Sequence, residues 1–301
     1  RGIMRFGINT WGLKFPVGAE DFGALLDEAD QLGLPGERPV IEVFASPDPA
    51  DLPGARRIGE QAAARGYGVV ACGFNPNMLG PDLPAPHLIS DDAAERRSAL
   101  ARAIGFVEYA AAVAAPGDAG VLSGPWHVRH KQFTGAGLTP AERERLLDGL
   151  REISARASDL GVRAGFEVLN RFETYVMNTV AKALDVIREV GSPHLGINWD
   201  SSHACLDEPA GVVASLREAA QSAHLFHVHL SENHRGEYGT GPIGPMTADM
   251  LAVLRQHSYG GAVVPELFCE LLDPAVHKWI RREGAPLEAA KRAVKYLARC
   301  V

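Results

Sequence analysis

Eight short apolar runs recur along the chain, and each is followed by a stretch in which apolar residues have helical spacing. Short runs of this kind, bounded by glycine, proline or polar residues, are typical of strands that are buried on both faces. The predicted strands are 5–9, 40–44, 68–72, 119–122, 163–169, 195–200, 224–230 and 262–267. The periodicity predicts helices at 19–32, 54–65, 92–114, 140–160, 180–190, 210–221, 246–257 and 285–299.

The helix predicted at 140–160 has the clearest boundaries. The segment 139–142 has the sequence TPAE, which is a capping box with proline at the first helical position. Gly161 follows the last apolar residue of the periodic pattern and is a typical helix end. The helix predicted at 210–221 has the weakest periodicity of the set.

Strand and helix signals alternate without a break in composition, which predicts one α/β domain, a (β/α)8 TIM barrel over residues 4–301. Residues 1–3 precede Met4 and are interpreted as a cloning remnant or an alternative start. A doubly wound open sheet is the alternative fold. It usually has fewer strands and often a glycine-rich turn after the first one. The turn at 9–12 has the sequence NTWG, which is not such a turn.

Composition narrows the classes of function. The hydrophobic fraction is 46% and the charged fraction 22%, as in an ordinary globular protein. A net charge of −7 provides no basic surface for nucleic acid or for an anionic membrane. No apolar stretch reaches the ~18 residues that a membrane span needs. The four cysteines lack paired spacing, which favours reduced thiols and a cytoplasmic location.

Four side chains lie at the ends of the last four predicted strands: Glu167, Asp200, His229 and Glu266. The carboxyl ends of barrel strands meet on one face, which is where barrel enzymes have their active sites. Three carboxylates and one imidazole favour Mn²⁺, Mg²⁺ or Co²⁺ over a thiolate-rich structural zinc site. The pattern therefore predicts a divalent metal site with room for two substrate oxygens.

Two long connections, 73–91 and 123–139, lie on the same face of the predicted barrel. The second contains the basic segment 126–131, WHVRHK, and we predict that Trp126 and His127 contact the substrate. This segment would suit an anionic or bulky group on the substrate, or would supply a catalytic histidine. A solvated loop or a subunit interface is the alternative.

Three further polar residues follow the ligand-bearing strands closely: Glu173, His203 and Arg235. Their places in the loops would allow hydrogen bonds to a polyol or its enediolate. Helix capping and surface ion pairs are the alternative roles.

Three segments together resemble the ketose 3-epimerases, which act on D-tagatose, D-allulose and L-ribulose within the xylose-isomerase-like barrel superfamily. Residues 166–174 (FEVLNRFET) resemble the LEVVNRFET signature of that family. Residues 198–203 (NWDSSH) resemble its LDTFH segment, and 227–236 (HVHLSENHRG) resemble its HxHxxENxRG segment. The resemblance follows the whole barrel in order and is specific from about residue 163 to 267.

The resemblance implies roles for the candidate residues. It implies that Glu167, Asp200, His229 and Glu266 are metal ligands, with Mn²⁺ as the first choice. It implies that Glu173, His203 and Arg235 contact the sugar. The implied reaction removes the C3 proton of a free ketose, passes through a cis-enediolate and returns a proton to the other face, with Glu167 and Glu266 as the two catalytic groups. A homodimer or homotetramer is also implied.

Other functions remain open. The same metal site would serve a related sugar isomerase, a dehydratase or a lyase that cleaves a 3-keto-glycoside (a deglycosidase), and the loop histidines His127 and His130 would suit the lyase. An endonuclease-IV-like DNA repair enzyme needs further histidine ligands and a basic groove, which the net charge argues against. A non-catalytic sugar-binding protein does not require two glutamates at one carbon.

Overall fold

The computed structural model describes residues 3–75, 77, 85–268 and 285–301. Eight parallel strands form a closed barrel in chain order. They are β1 Arg5–Asn9, β2 Val40–Phe44, β3 Gly68–Cys72, β4 Val121–Ser123, β5 Arg163–Glu167, β6 Leu195–Asp200, β7 Leu225–Leu230 and β8 Ala262–Pro265. The predicted TIM barrel is confirmed. The open-sheet alternative is wrong because β1 pairs with both β2 and β8, with Phe6 opposite Val263.

Helices occupy the connections between the strands. They are α1 Phe22–Ala29, α2 Leu52–Ala64, α3 Ala93–Val113, α4 Pro140–Leu160, α5 Val180–Val190, α6 Ser201–Asp207, α7 Val212–Gln221, α8 Thr247–Gln256 and α9 Pro286–Ala298. The eight predicted helices are all present, and α6 is an addition. It is too short to show periodicity, and it begins directly after β6.

The predicted start of α4 is confirmed in detail. The Thr139 backbone N–H donates to Oε2 of Glu142 at 2.8 Å, and the Glu142 N–H donates to the Thr139 hydroxyl at 3.3 Å. Gly161 ends the helix with a φ of 65°, in the left-handed region that glycine adopts without steric cost.

Some strand ends differ from the prediction. β8 ends at Pro265 rather than at residue 267, because the Leu267 N–H donates to the Asn9 side chain instead of to a backbone carbonyl of a neighbouring strand. The Glu266 N–H still donates to the Leu230 carbonyl of β7 at 3.0 Å, so the chain leaves the barrel wall after Glu266. β5 ends at Glu167 rather than at 169, and β4 lies at Val121–Ser123 rather than at 119–122.

The barrel has an apolar lower half. A buried cluster of Val40, Val70, Val121, Ala262 and Val264 joins four strands. Because successive strand residues point to opposite faces, Glu42 points to the same side of β2 as Val40. These five side chains form an apolar floor, which lies beneath the polar groups of the upper barrel.

The described residues contain no helix that is long and apolar enough to cross a membrane. The thiols of Cys72, Cys205 and Cys300 are free, whereas Cys269 lies outside the described residues. The assignment of 4–301 to one domain stays a prediction, because residues 76, 78–84 and 269–284 also lie outside that part.

Candidate metal centre and substrate site

The structure brings the four predicted metal ligands together. Glu167 and Asp200 end their strands, His229 is the penultimate residue of β7, and Glu266 directly follows β8. One ligand atom from each lies within 4.8 Å of the others, and all four side chains are buried. Three carboxylates and an imidazole at this spacing fit a hard or borderline divalent cation.

The two ring nitrogens of His229 face different groups. Nδ1 lies 3.5 Å from Oε1 of Glu167 and 3.9 Å from Oε1 of Glu266. Nε2 lies 2.9 Å from Oε2 of Glu42, on the other side of the ring. Nδ1 is therefore the nitrogen that faces the candidate metal ligands.

Hydrogen bonds orient the Asp200 carboxylate. Its Oδ1 accepts from the backbone N–H groups of Ser202 and His203 at 2.6 and 2.9 Å, which caps α6. Its Oδ2 accepts from the Ser231 hydroxyl at 2.6 Å. The added helix thus has a local cause, because the candidate ligand is also its N-cap.

Arg235 connects the metal ligands to the predicted substrate contacts. Its Nη1 donates to Oε2 of Glu266 at 2.8 Å and lies 3.4 Å from Oδ2 of Asp200. Its Nη2 lies 2.9 Å from Nε2 of His203. Arg235 has a φ of 54°, a left-handed conformation that costs a non-glycine residue about 1 kcal/mol or more. The surrounding ion pairs hold the residue in this conformation.

The other predicted substrate contacts belong to the same network. Oε1 of Glu173 accepts from the Asn170 amide at 3.0 Å, and Oε2 lies 3.1 Å from Nε2 of His130. Nε2 of His203 lies 3.5 Å from Oε1 of Glu167. Burial lowers the pKa of His203, but the charges of Glu173 and Asp200 outweigh it and raise that pKa to about 9. The three polar residues predicted from the loops thus lie beside the candidate ligands.

The two predicted catalytic glutamates have different electrostatic surroundings. Burial raises the pKa of Glu167, but hydrogen bonds from His203 and His229 outweigh it and hold the pKa below its usual range. Burial raises the pKa of Glu266 above its usual range, and His229 and Arg235 oppose this only in part. One group therefore favours the carboxylate and the other favours the carboxylic acid.

A second buried cluster under the site was missed from the sequence. Glu42 on β2 is 0% exposed, accepts a hydrogen bond from the Ser123 hydroxyl at 2.5 Å and lies 3.1 Å from Nε2 of His227. Burial raises the pKa of Glu42, but His229 and His227 outweigh it and hold the pKa far below its usual range. The signal was present: a single glutamate stands inside the apolar run 40–44, and His227 precedes His229 by two positions.

The loop after β4 lies against the site. Trp126 and His127 are buried, and the Trp126 indole donates to the carbonyl of Gly165 at 3.0 Å. The His127 ring packs on Phe166 with centroids 4.9 Å apart, and its Nδ1 has no hydrogen-bond partner among the described residues. Burial lowers the pKa of His127 to about 3, so its imidazole is neutral near pH 7. These two residues are not part of a solvated loop.

The loop after β3 supports this segment. The Asn75 amide donates to the carbonyl of Val128 at 3.0 Å, and the Asn77 amide donates to that of His130 at 2.6 Å. The proline-rich residues 76 and 78–84 of the predicted 73–91 connection lie outside the described residues.

An aromatic wall, also missed from the sequence, stands at the carboxyl ends of β1, β2, β3 and β8. It consists of Trp11, Phe15, Phe44, Phe74 and Phe268. Ring centroids are 4.6 Å apart between Trp11 and Phe44 and 4.5 Å apart between Phe44 and Phe74. The Arg235 guanidinium lies 5.9 Å from the centre of the Phe268 ring, so the wall borders the polar network.

Comparison with known proteins places this barrel in a family. Residues 19–300 match the family model described as xylose isomerase-like TIM barrel. The chain belongs to this family. Membership agrees with the resemblance found in the sequence.

Two curated relatives align with parts of the chain. A D-psicose 3-epimerase from Enterocloster bolteae is 37% identical over 127 residues, which cover 42% of this chain and 40% of that protein. A 3-dehydro-D-guloside 4-epimerase from Escherichia coli is 32% identical over 142 residues, covering 44% of this chain and 49% of that protein. The aligned part thus spans less than half the length of either relative.

The solved structure of an L-ribulose 3-epimerase superposes on the whole barrel. Its TM-score is 0.83 at 23% sequence identity, and the match covers 99% of this chain and 94% of that chain. At this identity the similarity establishes the shared fold.

Proposed function

We propose that this member of the xylose isomerase-like family is a divalent-metal-dependent ketose 3-epimerase. The observation that carries the proposal is the pair Glu167 and Glu266. They come from β5 and β8, which are not neighbouring strands, and both reach the same ring nitrogen of His229. Two carboxylates that approach one point from different strands suit inversion, which needs a base on one face of a carbon and an acid on the other.

One of the two glutamates is proposed to take the C3 proton as a carboxylate, and the other is proposed to return a proton to the opposite face of the carbon. The carboxylate becomes a carboxylic acid and the carboxylic acid becomes a carboxylate, so charge balances. Because epimerisation is reversible, the roles exchange in the other direction.

A bound cation would polarise the C2 carbonyl and acidify the C3 proton. Glu167, Asp200, His229 and Glu266 are the residues proposed to hold it. Their mostly oxygen donor set supports Mn²⁺ first, with Mg²⁺ or Co²⁺ as alternatives. A cytoplasmic location and a homodimeric or homotetrameric assembly stay predictions.

The remaining polar residues would bind and orient the sugar. Arg235 and His203 are proposed to donate hydrogen bonds to the oxygens that become negative in the enediolate. Glu173 is proposed to accept from a sugar hydroxyl. Trp126 and His127 are proposed to close the side of the site next to Phe166, which supports exclusion of water.

A second candidate is a reaction on a 3-keto-glycoside, by epimerisation, elimination or cleavage of the glycosidic bond. Two observations favour it: the name of the Escherichia coli relative, and the buried neutral His127 whose Nδ1 lacks a partner among the described residues. Such a substrate also carries a further group that the aromatic wall would contact. A related isomerase or dehydratase would use the same metal site.

Proton exchange followed by NMR tests these candidates. The protein, loaded with Mn²⁺ and freed of excess metal, is incubated in D₂O with a panel of ketoses and 3-keto-glycosides. Deuterium at C3 together with the C3 epimer is the expected result. Exchange without inversion would contradict the epimerase, and release of aglycone or water from a keto sugar would favour the second candidate. Glu266→Gln serves as the inactive control.

A further inference from the structure

We propose that Glu42 is a positioning residue for the candidate metal centre. Its buried carboxylate accepts the Nε2–H of His229 and so sets the tautomer in which Nδ1 is free to bind the cation. The inference rests on the proposed metal site, and it adds a residue from β2 that lies beneath the four ligands.

The distances support this tautomer. Both carboxylate oxygens of Glu42 face the same ring nitrogen, with Oε1 at 3.1 Å and Oε2 at 2.9 Å from Nε2 of His229. A neutral imidazole carries one N–H and one lone pair. An ionised carboxylate can only accept, so it favours the proton on Nε2 and leaves the lone pair on Nδ1, which faces Glu167 and Glu266.

Glu42 is itself held firmly. The Ser123 hydroxyl donates to its Oε1 at 2.5 Å, and Nε2 of His227 lies 3.1 Å from the same oxygen. The apolar floor that includes Val40 lies below it. A buried carboxylate in such surroundings is destabilising unless it is paired, and an apolar residue would often be as stable there. The pairing with His229 gives the buried charge of Glu42 a role, because it orients the imidazole.

Glu42, His227 and His229 are also candidates for a second cation site. Glu42, His227 and His229 also bring ligand atoms within 4.8 Å of one another. All three are 0% exposed, so three protein donors would have to complete the shell without water. Divalent cations in proteins take about four or more ligands. The geometry therefore points to a hydrogen-bonded support for one metal rather than to a second metal.

Metal binding by Glu42→Gln tests the proposal directly. The glutamine amide can donate to Nε2, which shifts the ring proton to Nδ1 and blocks the ligand position. Mn²⁺ binding is measured by equilibrium dialysis with elemental analysis. We expect one Mn²⁺ per wild-type chain and an affinity about 10- to 100-fold weaker in the variant. An unchanged affinity, or two Mn²⁺ per wild-type chain, would overturn the role of Glu42.

Glu232→Gln is the matched control. Glu232 is also a 0% exposed glutamate, but it accepts from the backbone N–H groups of Gly239, Ile243 and Gly244. Its replacement disturbs a buried carboxylate without touching His229. We expect Mn²⁺ affinity within about twofold of the wild type, even where thermal stability falls. A loss equal to that of Glu42→Gln would mean that general loosening, and not the tautomer, weakens binding.

A second measurement needs no variant at residue 42. In ¹⁵N-histidine-labelled protein loaded with diamagnetic Zn²⁺, the His229 signals are assigned by comparison with His229→Gln. We expect a proton on Nε2 and none on Nδ1. A proton on Nδ1, or on neither nitrogen, would overturn the proposal even if Glu42→Gln does not fold. Absence of any metal binding by the wild type would instead contradict the proposed function.

Discussion

Nε2 of His130 lies 3.1 Å from Oε2 of Glu173, which joins the loop after β4 to the loop after β5 beside the candidate metal ligands. The backbone supports the same junction, because the Lys131 N–H donates to the Glu173 carbonyl at 2.7 Å. Glu173 is thereby held between His130 and Asn170, with its Oε1 3.9 Å from Nη2 of Arg235.

His130→Ala is expected to weaken substrate binding. A hydrogen bond to a charged group contributes about 1.5–3 kcal/mol, so we expect kcat/KM to fall about 10- to 100-fold, mainly through KM. Mn²⁺ affinity should not change, because Glu173 is not among the candidate ligands. Steady-state kinetics on the substrate found by proton exchange measures this effect. His194→Ala is the control, because His194 directly precedes β6 and lies at the end of the strand away from Asp200. An unchanged KM would contradict the role of the junction.

Glu266→Gln and Glu167→Gln should each abolish turnover and leave a folded barrel. Each change removes a metal ligand and a catalytic carboxylate, and loss of acid–base catalysis alone costs about 10²- to 10⁴-fold in rate. Circular dichroism tests the fold, and deuterium exchange at C3 tests the chemistry. Substantial activity in either variant would show that the acid and the base have been assigned to the wrong residues.

Removal of divalent metal should lower thermal stability. A cation at 100 times its Kd stabilises the native state by about 2.7 kcal/mol, which in a domain of this size raises Tm by about 5 °C. Thermal unfolding with EDTA and then with increasing Mn²⁺ measures the shift. Asp200→Asn is the control, because asparagine still caps α6 but removes the ligand charge. We expect it to lose most of the Mn²⁺-dependent shift, and an equal shift in that variant would contradict the ligand set.

His127 should make the fold less stable in acid. Its pKa is about 3 in the folded protein and near 6.5 when unfolded, because burial disfavours the imidazolium. Between these pH values the unfolded chain binds the additional proton, so the free energy of unfolding falls as pH decreases. From pH 6.5 to about pH 4.5 the contribution of His127 is about 2 to 3 kcal/mol.

His127→Phe isolates this contribution, since phenylalanine keeps an aromatic ring against Phe166 and cannot be protonated. Urea unfolding at both pH values should show a smaller loss of stability on acidification in the variant than in the wild type. The exposed His234, changed in the same way, should leave the wild-type difference intact. Equal acid sensitivity of His127→Phe and the wild type would mean that the buried imidazole does not resist protonation.

Local patterns were sufficient for most of the architecture. Alternation of apolar runs with helical periodicity identified all eight strands and eight helices, and the TPAE segment located the start of α4 to the residue. α6 was not predicted because a helix of seven residues shows too little periodicity. The aromatic wall was not predicted because its residues come from the ends of four separate strands. A single aromatic residue in the sequence does not indicate that it shares a surface with others.

The sequence was sufficient to predict that the four candidate ligands Glu167, Asp200, His229 and Glu266 converge, because the carboxyl ends of parallel barrel strands meet on one face. The sequence could not predict which ring nitrogen of His229 faces the other candidate ligands. That depends on Glu42, far away in the chain on β2, which reaches His229 only when the barrel closes. Periodicity reports which face a residue occupies, whereas ring orientation, burial and pKa depend on contacts between distant strands, and only the tertiary structure sets those.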